Sequence, residues 1–340
     1  MTSRGAAQRG LLLLVLMGIV GVAGLARIAS GRAASIGTGV VTITTLLGYQ
    51  NGEAAGTGIV VTSSGEVLTN NHVIANATNV TVAVPGTGHG YRGRVVGYDV
   101  RDDVAVVQLQ SASNLATASL DPSATVSLGE KVRAIGNAGG AGALKAAYGR
   151  VTGTGKSITA QDDQGNSERL VGLIETNAGV LAGDSGGPLF SSRGRVIGIV
   201  TAASTTSGPF GFGDTPASDA YAIPIGKALT ISKAIEAGRS SAAIHVGPTA
   251  FLGIQVSAPD PGSATSGAVI VDVVAGGPAA TAGLVAGDVI TGINGHTVAA
   301  PSAVGAYVLT QKPGARVRVR YADTLGSHAV TVKLGSGPPH

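Results

Sequence analysis

Apolar positions along this chain fall in short runs, with few helical stripes. Valine and isoleucine recur between glycine, serine and asparagine punctuation, as in Ile59-Val60-Val61, Glu66-Val67-Leu68-Thr69, Val104–Leu109 and Ile199-Val200-Thr201-Ala202-Ala203. Runs this short and this rich in β-branched residues read as buried strands. Residues 37–122 and 125–225 each form a series of such runs separated by turn residues, which predicts two β-barrels with a cleft between them. The period changes over 227–237, where Leu229, Ile231 and Ile235 stand at helical spacing ahead of the linker-like Gly238-Arg239-Ser240-Ser241. Residues 247–335 mix both periods. A strand is expected over 269–274, a short helix over 278–284, and a strand and turn over 287–295. A second helix is expected over 301–309, with Ser302 as its candidate N-cap. The fold class expected is therefore mainly β: a double barrel within 36–240, then a small α+β module over 247–335.

The N-terminus departs from this pattern. Leu11 to Ala26 carries no charge, with Arg4 and Arg9 before it and Arg27 and Arg32 after it. This length lies between a signal-peptide core and a membrane-spanning helix, and Ala33-Ala34-Ser35 offers a cleavage site. Residues 1–35 are read as a signal peptide or membrane anchor, with membrane contact through 11–26 where the segment is retained, and the rest of the chain as exported. A net charge of +4 on a chain only 12% charged, without a basic cluster, excludes a nucleic-acid partner. The absence of cysteine excludes a disulfide framework. Gly153-Thr154-Gly155-Lys156-Ser157 matches the end of a phosphate-binding loop, but Arg150 stands where that motif needs glycine, and no βαβ pattern flanks it. No cofactor and no metal are expected.

The densest chemical signal is Gly183-Asp184-Ser185-Gly186-Gly187-Pro188. Glycine-rich backbone can turn so that a serine hydroxyl and two backbone N–H groups face one spot, an oxyanion hole. A serine hydroxyl is a weak nucleophile unless a base takes its proton and a carboxylate orients that base. His72, in Thr69-Asn70-Asn71-His72, is the candidate base. Asp103, opening the run 103–109, is the candidate carboxylate, because a carboxylate at the mouth of a buried strand needs a donor such as an imidazole N–H. Asp102 competes for that role and is assigned to solvent, since successive strand residues face opposite sides. His89, His245, His296, His328 and His340 are read as surface residues.

The order His72, Asp103, Ser185 is that of chymotrypsin-like enzymes, and differs from subtilisin-like and α/β-hydrolase orders. These segments resemble the HtrA-type serine proteases, most closely their actinobacterial secreted members. The resemblance runs over roughly residues 38–335, through Tyr221-Ala222-Ile223-Pro224-Ile225 and into Phe251-Leu252-Gly253-Ile254, which is similar to the carboxylate-binding loop of PDZ domains. It implies an exported serine endopeptidase with His72 as general base, Asp103 as its orienter, Ser185 as nucleophile, the Gly183 and Ser185 amides as oxyanion donors, and a PDZ module that takes peptide C-termini. In chymotrypsin-like architecture the residue six before the nucleophile forms the base of the specificity pocket. Here it is Gly179. A lysine or arginine entering a pocket without a counter-charge is disfavoured. With Thr201 and Ala203 on the wall strand, small or medium aliphatic residues are expected there. Asp184 stands where most members carry asparagine, and its partner is unassigned. The aromatic residues through which the family often trimerises are missing from 30–47, so a homo-oligomer is left open. The second reading is a non-hydrolytic, chaperone-like peptide binder with a latent protease fold, against which the intact triad argues.

Overall fold

A computed structural model describes residues 37–161, 167–203, 218–260 and 266–339. The segment 1–35, with its apolar run 11–26, and His340 lie outside them. Among the described residues no helix is long and apolar enough to cross a membrane.

The first barrel is built from β1 (Val40–Leu47), β2 (Gly52–Val60), β3 (Glu66–Thr69), β4 (Asn79–Val84), β5 (His89–Asp99) and β6 (Val104–Leu109), in the order β5-β4-β1-β2-β3-β6, with β5 pairing back onto β6. A one-turn helix, α1 (Asn71–Ile74), follows β3. The second barrel closes as β10-β11-β12-β9-β8-β7. Its strands are β7 (Lys131–Gly136), β8 (Lys145–Gln161), β9 (Ser167–Thr176), β10 (Pro188–Ser191), β11 (Val196–Ala203) and β12 (Ala220–Pro224). Helix α2 (Ile225–Glu236) comes next and buries Ile225, Ala228, Ile231 and Ile235.

Why the apolar runs are continuous rather than alternating is visible in the packing. Val41, Ile43, Val60, Val67, Ala105 and Val107 fill the interior of the first barrel. Their chain neighbours Val40, Ile59, Leu68, Val104 and Val106 join the core of the second barrel and α2. Because side chains alternate across a strand, β1, β2, β3 and β6 are buried on both faces, and a strand buried on both faces reads as an unbroken apolar run. The cleft between the barrels thus lies on dry, rigid strands.

A third core, around Leu252, Ile270, Ile290, Ile293, Val317, Val319 and Val332, belongs to the C-terminal module. Its sheet runs β15 (Ile254–Ser257), β16 (Ala268–Val273), β17 (Val289–Ile293), β19 (Arg316–Asp323) and β20 (Gly326–Lys333), with β18 (His296–Thr297) hairpinned onto β17. Helices α3 (Pro278–Thr281) and α4 (Pro301–Leu309) accompany it, and β14 (Thr249–Phe251) pairs with β21 (Gly335–Gly337).

Four expectations change. The stretch after Gly238-Arg239-Ser240-Ser241 does not run free: β13 (Ile244–Val246) adds a strand to the first barrel, pairing with Gly97 to Asp99 of β5. His245 lies in that strand, half-buried against the Tyr98 ring with centroids 5.1 Å apart, and burial pushes its pKa down. It is not a surface histidine. The N-cap of α4 is Ala300, not Ser302, because Pro301 occupies the first helical position, where its missing N–H costs nothing. Asp103 precedes β6 in a turn at φ +50°, so the strand-alternation argument that separated it from Asp102 does not apply.

Candidate active site

His72 is carried by α1, directly after β3, and its side chain meets Asp103 across the β3–β6 pair. The ring Nδ1 and Asp103 Oδ2 are 2.9 Å apart, and the His72 backbone N–H donates to Asp103 Oδ1 at 3.0 Å. Asp103 is fully buried. A positive φ is uncommon for any residue but glycine and is best tolerated by Asn and Asp. Here Asn70 Nδ2 donates to the Asp103 carbonyl at 2.8 Å and holds the turn. The neighbouring Asp102 turns the other way, onto Lys227 of α2, with Nζ 2.6 Å from Oδ1.

Thr201 of β11 donates its hydroxyl to Asp103 Oδ2. Its hydroxyl is thus engaged by the carboxylate. It also brings the second barrel into contact with the His72–Asp103 pair. A threonine inside the apolar run 199–203 was the available signal, since a buried hydroxyl must find an acceptor.

Ser185 lies on the turn before β10, almost fully buried. Gly183 and Gly186, at φ +91° and +82°, take up conformations that side chains disfavour. A Cβ at Gly186 would lie 2.1 Å from the Thr57 carbonyl, so the turn is packed too tightly for any other residue. The turn is pinned by Gly186 N–H to the Val200 carbonyl at 2.9 Å, Gly187 N–H to the Asp184 carbonyl at 2.9 Å, and Thr57 N–H to the Ser185 carbonyl at 2.8 Å. Among the described residues, neither the Gly183 N–H nor the Ser185 N–H is spent on a bond within the protein. Gly179 and Ala203 fall near this turn in the chain and on the adjacent strand β11, Gly179 half-buried and Ala203 buried.

Asp184 is buried, with Leu181 N–H donating to Oδ2 at 2.9 Å and Oδ1 without a partner among the described residues. Burial is the main cause that pushes its carboxyl up to about 6.

In the C-terminal module Phe251 ends β14, Leu252 and Gly253 form a loop with Gly253 at φ +79°, and Ile254 opens β15. The loop is fixed by Ala279 N–H to the Leu252 carbonyl and Val274 N–H to the Gly253 carbonyl, both at 3.0 Å. Among the described residues β15 pairs with β16 alone, its other edge taking no strand. The Phe251 ring stacks on Tyr49, from the β1–β2 turn, at 5.1 Å and 12°. Phe251 is thus engaged with the first barrel. Among the described residues no cluster of His, Asp or Glu could hold a metal ion.

The double barrel and the C-terminal module together give the architecture of a trypsin-like peptidase domain followed by a PDZ domain. Residues 56–199 match the trypsin-like peptidase domain family and residues 250–334 the PDZ domain family. HtrA- and DegP-type serine proteases are homologues of this chain. It is 33% identical over 321 residues to the serine protease PepD of Mycobacterium tuberculosis, covering 89% of this chain and 65% of that protein. It is 33% identical over 289 residues to the periplasmic serine endoprotease DegP of Salmonella typhimurium, covering 83% of this chain and 56% of that one. The chain thus spans less than two thirds of the length of these curated relatives. Among solved structures, the HtrA-type protease AlgW with a tripeptide is 28% identical, with a TM-score of 0.52 over 90% of this chain and 96% of that one.

Proposed function

We propose that this chain is an exported serine endopeptidase working through an acyl-enzyme, with Ser185 as nucleophile, His72 as general base and acid, and Asp103 as the carboxylate that orients His72. The observation that carries the reading is the joint geometry: His72 Nδ1 sits 2.9 Å from a fully buried carboxylate, while Ser185 stands on a turn whose two relevant N–H groups are unspent. A buried carboxylate accepting from Nδ1 fixes the tautomer that carries its proton on Nδ1 and its lone pair on Nε2. Ser185 then adds to a peptide carbonyl as its proton passes to His72, and the oxyanion is met by the Gly183 and Ser185 N–H groups. His72 returns the proton to the leaving amine, and water repeats the sequence on the acyl-enzyme. Removing one such donor costs roughly 3–4 kcal/mol of transition-state stabilisation.

The pocket base at Gly179 and the buried Ala203 offer no counter-charge, which supports cleavage after small or medium aliphatic residues over lysine or arginine. The edge of β15 that takes no strand among the described residues supports addition of a peptide strand. The N–H groups around Leu252, Gly253 and Ile254 support capture of its terminal carboxylate. The relatives named as periplasmic support export.

The test is covalent labelling with a fluorophosphonate probe together with casein hydrolysis. Label is expected on Ser185, with Ser185→Ala abolishing both label and turnover. A folded wild-type protein that neither takes label nor cleaves casein, yet binds peptides, would instead support a non-hydrolytic peptide binder.

A further inference from the structure

Thr57 is a polar residue between two glycines in the middle of β2, and it is fully buried. Its hydroxyl donates to the Gly183 carbonyl at 2.6 Å and accepts from the Asn137 N–H at 2.9 Å. Its backbone N–H donates to the Ser185 carbonyl at 2.8 Å, and its own carbonyl accepts from the Thr69 hydroxyl at 2.7 Å. One residue of the first barrel therefore holds the carbonyls on both sides of Asp184, in the second barrel, and the end of the strand that leads to His72. The two glycines beside it are required by packing inside the first barrel. A Cβ at Gly56 would lie 2.6 Å from Val73, and one at Gly58 2.5 Å from Val67.

The clamp matters because of what it holds. Gly183 sits at φ +91°, and a glycine has little intrinsic resistance to rotation of its flanking peptides. The Ala182–Gly183 peptide, which carries one of the two oxyanion N–H groups, is held on one side by Gly139 N–H donating to the Ala182 carbonyl at 2.7 Å. On the other side the Thr57 hydroxyl holds the Gly183 carbonyl. The same hydroxyl grips Asn137, whose carbonyl accepts from Gly140 N–H at 2.7 Å, so it also steadies the turn that supplies Gly139. A hydroxyl has one proton and can accept as well, so donating to one carbonyl while accepting from one N–H fixes its direction.

We propose that Thr57 is the positioning residue of the oxyanion loop, setting the direction of the Gly183 N–H from the opposite barrel without touching substrate. The proposal rests on the protease reading above. Thr57→Val keeps the shape and deletes the hydroxyl; Thr57→Ser keeps the hydroxyl and deletes the methyl. In the full chain, Thr57→Val should lower kcat and the rate of fluorophosphonate labelling by roughly 10²-fold, as for a displaced catalytic group, with KM within about threefold. Thr57→Ser should recover most of the loss, whereas a packing role would make the serine variant the worse of the two. A crystal structure of Thr57→Val should show the Ala182–Gly183–Asp184 peptides rotated. A kcat for Thr57→Val within about threefold of wild type, or a serine variant no better than the valine one, overturns the proposal. Should wild type itself prove inert, the protease reading fails, and an unrotated loop in Thr57→Val then overturns the anchor by itself.

Discussion

Two buried carboxylates, Asp103 and Asp184, have opposite surroundings. Asp103 receives the His72 backbone N–H on one oxygen, and the His72 ring and Thr201 hydroxyl on the other. Asp184, 3% exposed, receives a single backbone N–H from Leu181 and, among the described residues, keeps one oxygen buried with nothing to accept from. Burying a carboxylate is tolerable where donors replace water and costly where they do not. The first site surrounds its carboxylate with three donors. The second holds a carboxyl whose neutral form is favoured, with a pKa pushed up to about 6.

Removing the charge at the well-supplied site should have the largest effect. Asp103→Asn keeps the shape but turns part of an acceptor into a donor facing the His72 N–H and the Thr201 hydroxyl, so the imidazole loses its tautomer. A fall in kcat of about 10³–10⁴-fold is expected. A loss under tenfold in steady-state peptide hydrolysis would dissolve the contrast.

Removing the charge at the poorly supplied site should do the reverse and stabilise. A folded-state pKa raised from 3.8 to about 6 means that the stability present below about pH 4 is lost as pH rises through 6, because the folded protein must then bury a charge. Two units correspond to an upper figure of about 3 kcal/mol. Asp184→Asn should therefore raise the unfolding free energy above pH 7 by about 1–3 kcal/mol and leave it nearly unchanged at pH 4. Urea titrations at the two pH values measure this, and an equal gain at both would show that the orphaned oxygen is not the cause.

Thr201→Val subtracts one donor from the rich site while leaving the His72 contacts in place. The loss of a hydrogen bond to a charged group is worth about 1.5–3 kcal/mol, so kcat should fall by about tenfold or somewhat more with KM nearly constant. An unchanged kcat would make Asp103 over-supplied. The smallest effect should come from a third carboxyl. Glu66 of β3 is raised to about 7 by burial and by Glu236 of α2, with Ser232 Oγ 2.7 Å from Glu236 and 3.3 Å from Glu66. Its contribution, too, is lost as pH rises, here through 7. Glu66→Gln should raise Tm at pH 8.5 by a degree or two and not at pH 5, and a drop at pH 8.5 would contradict the sign.

Much of this was legible in the sequence because the chemistry sat in contiguous words. Gly183-Asp184-Ser185-Gly186-Gly187-Pro188 needs its glycines for local reasons, and the runs at β2, β3 and β6 announced strands buried on both faces. His72 and Asp103 could be paired because each lies at the end of one of those strands. What escaped were partnerships decided by register between distant strands. Thr57 and Thr201 are ordinary threonines in their own segments, and their hydroxyls acquire acceptors only when the two barrels meet. β13 escaped for another reason: three residues, Ile244-His245-Val246, are too few to show a period. Ser302 was misread because a helix opened by proline needs no side-chain cap.

The pairing of β13 with β5 bears on where this chain can be divided. Val100 N–H donates to the Ala243 carbonyl and Gly247 N–H to the Val96 carbonyl, continuing the ladder on both sides of the three paired residues. A protease fragment ending at Ser241 would leave Val96 to Val100 as an uncovered sheet edge, free to recruit a strand from another molecule. Ending it at Gly247 would carry the cover along. The last strand of the first barrel is thus written some 130 residues after the others, and recombination or proteolysis that treats the segment between helix α2 and the C-terminal module as a spacer would trade a monodisperse fragment for a sticky one.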